Sequence, residues 1–364
     1  MIYTNAELCL IWLDSFVEFS NAQKQCLYKI IKGKVDICKI LEENKEYILS
    51  KIDINQYNAV KNSANKGSLD KIIKELNDRG IKAVTIESQS YPENLKNIDV
   101  PPLVLYCKGN EKLLNGELFS IVGSRKNIPL SLKLAEDYTA TVSEMGFTIV
   151  TGNADGIEQA VLGSAVKNNF PVISVIAGGI DCVNKTFNAA FMHKMAEIGL
   201  IVGEYPPSVP SLAFHFPVRN RIIAGLSKGT LIISGGIKSG THHTAEYAES
   251  YGRDLFAVPY SSDISSGAGC NELIKRGAHL TDTPNDLLEF YGKEKSKKTV
   301  SITEEEKQIL SLMQNGAVHI DKICAELNKE VFQITPLLTI LEIKGLIYKS
   351  ATNTYGLVYS NLEG

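Results

Sequence analysis

Apolar and polar positions along the chain change period several times, and the changes divide it into segments. Residues 1–80 carry apolar positions at helical spacing, clearest in Leu8–Phe16 and Leu69–Leu76, with Gly80 placed as a helix C-cap and no sustained strand pattern. This predicts a small helical domain of SAM-like or helix-hairpin type. From Ile81 to Gly109, Val84-Thr85-Ile86 and Leu103-Val104-Leu105-Tyr106 read as two short extended segments. The connector between them holds Tyr91-Pro92 and Pro101-Pro102.

Between Leu118 and Phe290 the pattern alternates. Continuous apolar runs at Leu118–Val122, Phe147–Val150, Val172–Ile176, Leu200–Val202, Leu231–Ile233 and Leu255–Val258 predict strands. Helical stretches at Ser131–Met145, Ile157–Lys167, Asn188–Ile198 and Thr241–Tyr251 separate most of them. Strands without a polar face, interleaved with helices, predict an α/β domain over 81–292 whose mostly parallel sheet is covered on both sides. Ligands of such sheets bind beyond the carboxyl ends of the strands, where strand order reverses. A lysine-rich run at 293–300 reads as a solvated basic linker. Residues 301–364 then read as three helices and a hairpin, Leu346–Tyr348 with Tyr355–Val358, turning at Thr352-Asn353. Thr303 and Glu306 are spaced as a capping box, and the whole predicts a winged-helix module.

Composition narrows the function. The 364 residues are 44% hydrophobic and 22% charged, as in ordinary globular protein, and no apolar run reaches the ~18 residues of a membrane span. The start, MIYTNAELCLIWLDSF, has neither a cationic region nor a small-residue cleavage site, so no signal peptide is expected. Seven scattered cysteines without C-x-x-C spacing argue against structural zinc or a disulfide framework, and for a reduced cytoplasmic protein. A net charge of −3 gives no general affinity for nucleic acid. Yet among 38 cationic residues only six are arginines, and five of these (Arg125, Arg219, Arg221, Arg253, Arg276) fall in the central domain. Arginine is the planar phosphate binder, so a local anion site is expected there.

Five glycine-bearing strand exits are candidates for that site. The first is Gly123-Ser124-Arg125, and the second is Thr151 to Glu158 with Gly152 and Gly156. The third is Gly178-Gly179, ahead of Asp181. The fourth is Phe216-Pro217-Val218-Arg219-Asn220-Arg221, placed ahead of an apolar helix, and the fifth is Gly235-Gly236-Ile237-Lys238-Ser239-Gly240-Thr241. Backbone amides at glycines and helix starts, joined by guanidinium groups, suit an extended polyanion. The spacing excludes G-x-G-x-x-G and a P-loop; adjacent His242 and His243 make a poor metal site. Phe214 and Phe216 are candidates for base stacking or for core packing. Asp155, Glu158, Asp181 and Glu246 are the carboxylates available for acid–base work.

Glu204-Tyr205-Pro206-Pro207, Phe216 through Ser227 (FPVRNRIIAGLS), Gly252 through Pro259 (GRDLFAVP) and Gly269-Cys270-Asn271-Glu272-Leu273-Ile274 with Gly277-Ala278 resemble the DprA/Smf family of bacterial DNA-processing proteins. The resemblance covers about Tyr91 to Phe290. It implies an extended Rossmann-like fold and a non-catalytic homodimer without metal or cofactor. Such a protein binds single-stranded DNA and passes it to the RecA recombinase during natural transformation. Gly123, Ser124, Arg125, Gly152, Gly156, Gly178, Gly179, Arg219, Asn220, Arg221, Lys238, Ser239, Gly240 and Thr241 would line the groove, Arg125 gripping phosphate from the first strand exit and Arg219 and Arg221 lining the same groove. Departures from the family pattern stand at Asp155 (usually arginine), Leu162 (usually histidine), Ser234 (usually glutamate) and His242-His243. They imply weaker DNA binding unless the histidines compensate. Other readings are a nucleotide N-glycosidase-like enzyme using Gly235-Gly236 through Glu246, and a nucleotide-sensing regulator without turnover.

Overall fold

The computed structural model describes residues 3–33, 36–182, 189–293, 303–314, 316–344 and 346–357. Most of the expected basic linker, 294–300, lies outside the described residues. The chain divides into two compact units, Met1–Ser296 and Lys297–Gly364.

The first unit is built on one nine-stranded sheet: β1 (Lys82–Thr85), β2 (Val104–Gly109), β3 (Leu118–Val122), β4 (Thr148–Thr151), β5 (Val172–Ile176), β6 (Leu200–Gly203), β7 (Gly229–Ile232), β8 (Asp254–Ala257) and β9 (His279–Leu280). Their spatial order is β1-β2-β6-β5-β4-β3-β7-β8-β9, parallel from β6 to β9, with β1 and β2 added antiparallel at one edge. The parallel part starts in the middle at β3, steps outward through β4, β5 and β6, then returns to lay β7 on the other flank of β3. This is a doubly wound, Rossmann-like sheet, and its order reverses between β3 and β7.

The continuous apolar runs have a direct cause. Alternate side chains of each strand point to opposite faces, and both faces are covered. Phe119 and Ile121 of β3 pack with Tyr138, Val142, Ile157 and Val161 of the helices Pro129–Glu144 and Ile157–Asn168. Leu118 and Val122 face the other core, which includes Ile222, Ile223, Ala245 and Leu273 of the helices His215–Leu226, Thr241–Ser250 and Ala268–Lys275.

The N-terminal segment forms six short helices between Asn5 and Asp78. Three of them open with a complete capping box, at Thr4, Ser20 and Asp53. Gly80 ends the last helix at φ +64°, where glycine carries no side-chain penalty, and Ile81 N–H closes on the Leu76 carbonyl at 2.9 Å. These helices share the hydrophobic core of the sheet: Leu10, Trp12, Leu27 and Val60 belong to the same buried cluster as Phe119 and Ile149. Buried polar contacts reinforce the join. Lys24 Nζ lies 2.8 Å from Asp14 Oδ1, and the Tyr106 hydroxyl donates to Asp14 Oδ2 at 2.9 Å.

The second unit has helices Glu304–Leu312, Ile320–Leu327 and Val331–Ile343 and a three-stranded sheet ordered β10 (Val318–His319), β12 (Thr354–Leu357), β11 (Ile347–Ala351). Thr303 and Glu306 form the expected capping box, and Asn353 takes φ +54° in the hairpin turn. No helix among the described residues is long and apolar enough to cross a membrane.

Candidate nucleic-acid interface

A cavity of about 270 Å³ opens beyond the carboxyl ends of β3 and β7, at the point where strand order reverses. Its floor is Val122 and Gly123, and one wall is Ser124, Arg125 and Lys126. The facing wall is Phe216, Pro217, Arg219 and Asn220 of the helix His215–Leu226. Ser239, Gly240, Thr241 and Thr244, at the start of the helix Thr241–Ser250, close the third side. That helix start adds partial positive charge.

Arg125 is exposed, its guanidinium 4.7 Å from the centroid of the Phe216 ring, and it pairs with no carboxylate among the described residues. Stacking on the ring holds the group at the mouth while leaving its donors available. Lys126 is exposed beside it. Asn127 shapes this loop: its side-chain amide donates to the Ser124 carbonyl at 2.7 Å, and its oxygen accepts from the Ser234 hydroxyl at 2.8 Å. Ser234, fully buried after β7, is thereby a spacer between two strand exits.

Arg219 lines the cavity from beneath. It is 2% exposed, and its Nη2 lies 3.2 Å from Glu158 Oε2. Its Nη1 donates to the Val175 carbonyl, and its Nε donates to Asn220 Oδ1 at 3.1 Å. The same Glu158 oxygen accepts the Ala154 amide at 2.8 Å. The ion pair therefore ties the helix His215–Leu226 to the exits of β4 and β5. Asn220 extends the tie, donating to the Gly240 carbonyl at 3.4 Å.

Arg221 does not share this wall. The Arg-Asn-Arg run lies within the helix His215–Leu226, not ahead of it, so two residues of separation turn the side chains about 200° apart. Arg221 is buried against Glu204, whose Oε1 also accepts from Asn21 of the N-terminal helices at 2.9 Å. The E-Y-P-P and R-N-R motifs thus meet through one buried pair.

The glycines divide as well. A Cβ on Gly152 would stand 1.9 Å from Arg219 Nη1 and 2.2 Å from Glu158 Oε2, so this glycine makes room for the ion pair. Gly156, at φ +88°, packs on the Ser124 carbonyl and Asn127. Gly178 and Gly179 are buried beneath the segment Pro206–Ser211. None of the four lines the cavity, and exposed Lys238 stands next to lining Ser239. The cavity thus gathers Gly123, Ser124, Arg125, Arg219, Asn220, Ser239, Gly240 and Thr241 of the expected residues. Lys126, Pro217 and Thr244 join them; Lys126 was readable as the cation following Arg125.

Phe216 is half-buried between two guanidiniums, with Arg219 5.8 Å from its centroid, whereas Phe214 is 66% exposed. His215, between them, stacks on Tyr205 at 4.0 Å, and burial holds its imidazole below the ordinary range. The four candidate carboxylates are not gathered. Glu158 pairs with Arg219, Asp181 with Arg79, and His243 lies 3.5 Å from Glu246, while Asp155 is exposed ahead of Gly156.

Comparison with known proteins agrees with this architecture. The profile of the family described as DNA recombination-mediator protein A matches residues 82–292, and that of the DprA winged helix domain matches 293–350. DNA processing protein DprA of Bacillus subtilis is 35% identical over 222 residues, spanning 61% of this chain and 75% of that protein. Protein Smf of Escherichia coli is 33% identical over 207 residues, spanning 57% of this chain and only 55% of that protein. The X-ray structure of DNA processing protein A from Streptococcus pneumoniae superposes with TM-score 0.66 at 29% identity, covering 79% of this chain and 98% of that one. A structure of the Helicobacter pylori protein, described for its single-stranded DNA binding mode, superposes with TM-score 0.52 at 27% identity over 58% of this chain and 95% of that one. With the first profile alone spanning more than half of its length, the chain belongs to the DprA/Smf family of DNA-processing proteins.

Proposed function

We propose that the cavity at the β3/β7 switch point binds the sugar–phosphate backbone of single-stranded DNA. The observation that carries this reading is Arg125: an exposed guanidinium, stacked on Phe216 and unpaired, at the mouth of a slot lined by the start of a helix. Glu158 contributes little repulsion because Arg219 neutralises it, so Arg125 and Lys126 outweigh the one exposed carboxylate beside the cavity, Asp155. The remaining site residues contribute in two ways. Ser124, Asn220, Ser239 and Thr241 offer polar donors, while Arg219 and Gly152 hold the walls in place. Membership of a recombination-mediator family and the Helicobacter pylori relative support single-strand binding. Transfer of the strand to a RecA-type recombinase, a homodimeric state, a cytoplasmic setting and the absence of turnover belong to the same proposal, on family grounds.

Against the N-glycosidase-like reading, Glu158, the candidate carboxylate that lines the cavity, is held in its ion pair with Arg219, and Asp181 pairs with Arg79. An oligo-dT length series distinguishes the two. Affinity is expected to rise as the oligomer lengthens past the slot, with thymidine monophosphate binding poorly and no free base released. Equal affinity for the mononucleotide, or release of base, would refute strand binding.

Asp155 gives a second test. It stands exposed beside cavity-lining Ala154, where the family usually has arginine. Asp155→Arg changes the local charge by two units. It is expected to raise oligo-dT affinity on the order of tenfold, as a charged hydrogen bond is worth about 1.5–3 kcal/mol. The salt dependence should steepen by roughly 0.7 in log–log slope for one added phosphate contact. Filter binding at several salt concentrations measures both.

A further inference from the structure

Among the described aromatic residues of the first unit Phe214 is the most exposed, at 66%, and it belongs to neither of the buried clusters that cover the sheet. It stands directly ahead of the helix His215–Leu226, two residues before the slot-lining Phe216. Its φ and ψ of −76° and −12° are already helical. Its Cα therefore lies about 5 Å from that of Phe216, while its side chain leaves the helix about 200° round from it. Phe216 carries Arg125 inside the slot, and Phe214 stands outside, on the rim.

The exposed ring is anchored. Phe214 meets the His215 imidazole with ring centroids 4.5 Å apart and planes at 79°. His215 is itself buried, stacked on Tyr205 at 4.0 Å, with its Nδ1 3.1 Å from the Ala177 carbonyl just beyond β5. A ring held in this way loses little rotamer freedom when a partner covers it. The phosphate and the base of a nucleotide leave the sugar in different directions, so a strand whose phosphate enters a polar slot turns its bases out of it. A flat apolar ring just outside the slot then meets the base, and it stacks with any of the four because each has a π-face.

We propose that Phe214 is the base platform of the site, stacking on a base of the strand whose backbone occupies the slot. The inference rests on the strand-binding reading and adds to it where the bases go. Phosphate contact sets the salt dependence of binding, and Phe214 adds affinity that salt does not screen.

The test compares oligo-dT with an oligomer of equal length made of abasic tetrahydrofuran residues, which keeps the phosphates and removes the bases. Binding of the full chain, followed by fluorescence anisotropy at several salt concentrations, is expected to favour oligo-dT roughly fivefold or more. Phe214→Ala should lose most of that preference while leaving abasic affinity and the salt slope at the parent's values, which also reports that the variant is folded. Phe214→Tyr should keep the preference. Equal binding of the two oligomers by the parent, or a preference unchanged in Phe214→Ala, would overturn the platform. So would Phe214→Ala weakening both oligomers alike, which would make the ring a support of the slot wall, or abolishing a self-association, which would assign it to a second copy. The slot reading is judged separately, because Arg125→Ala should weaken both oligomers and flatten both slopes whatever Phe214 does. A parent protein that binds neither oligomer would overturn both.

Discussion

Arg219→Ala is expected to destabilise the first unit by about 3–5 kcal/mol, because it strands the Glu158 carboxylate in the interior without its partner. Glu158 is 6% exposed, and after the substitution only the Ala154 amide remains to stabilise its charge among the contacts described. The Val175 carbonyl and Asn220 side chain lose their donors as well. Removing both charges tests the cause. Arg219→Met with Glu158→Leu should recover a large part of the loss, since a buried pair replaced by apolar side chains of similar size is often near neutral. Urea denaturation of the two variants measures the difference. A single Arg219→Ala variant as stable as the parent would mean that the guanidinium is not engaged as described. Weakened DNA binding by Arg219→Ala is therefore no evidence of direct phosphate contact, because the same ion pair holds the helix that carries one wall of the slot.

Arg125→Ala carries the opposite expectation, and the pair of variants separates architecture from recognition. Arg125 is exposed and touches Phe216 by stacking alone. Its loss should leave urea stability within about 0.5 kcal/mol of the parent, as for other surface substitutions. Oligo-dT affinity should fall ten- to a hundredfold, the value of one charged hydrogen bond of about 1.5–3 kcal/mol. On this proposal one arginine builds the site and the other meets the ligand.

Much of this was legible in the residue pattern. The six apolar runs read as strands all lie in the sheet, because strands buried on both faces leave no polar alternation to confuse with a helix. The winged-helix order was readable from helical spacing, a capping box and an asparagine turn. β9 and β10, at two residues each, are too short to carry a period.

The site was legible only in part, for two physical reasons. Pro217 reads as a boundary ahead of the helix, yet a proline is tolerated in a first turn, and the helix begins at His215. The helix therefore includes the Arg-Asn-Arg run that the residue pattern places ahead of it, which puts Arg219 and Arg221 on helical geometry, and so on different sides. The second reason is that a glycine approached by a ligand and one approached by the chain itself look alike in sequence. Gly152, Gly156, Gly178 and Gly179 are of the second kind. The carboxylates that claim the two arginines, Glu158 and Glu204, stand 61 and 17 residues away from them, and nothing local marks either pairing.

The most direct measurement is oligo-dT affinity of the parent and Arg125→Ala across a range of salt concentrations. The reading advanced above predicts weaker binding by the variant and a log–log slope shallower by roughly 0.7, the loss of one phosphate contact on a single strand. Affinity and slope both unaltered in a folded Arg125→Ala protein would contradict it.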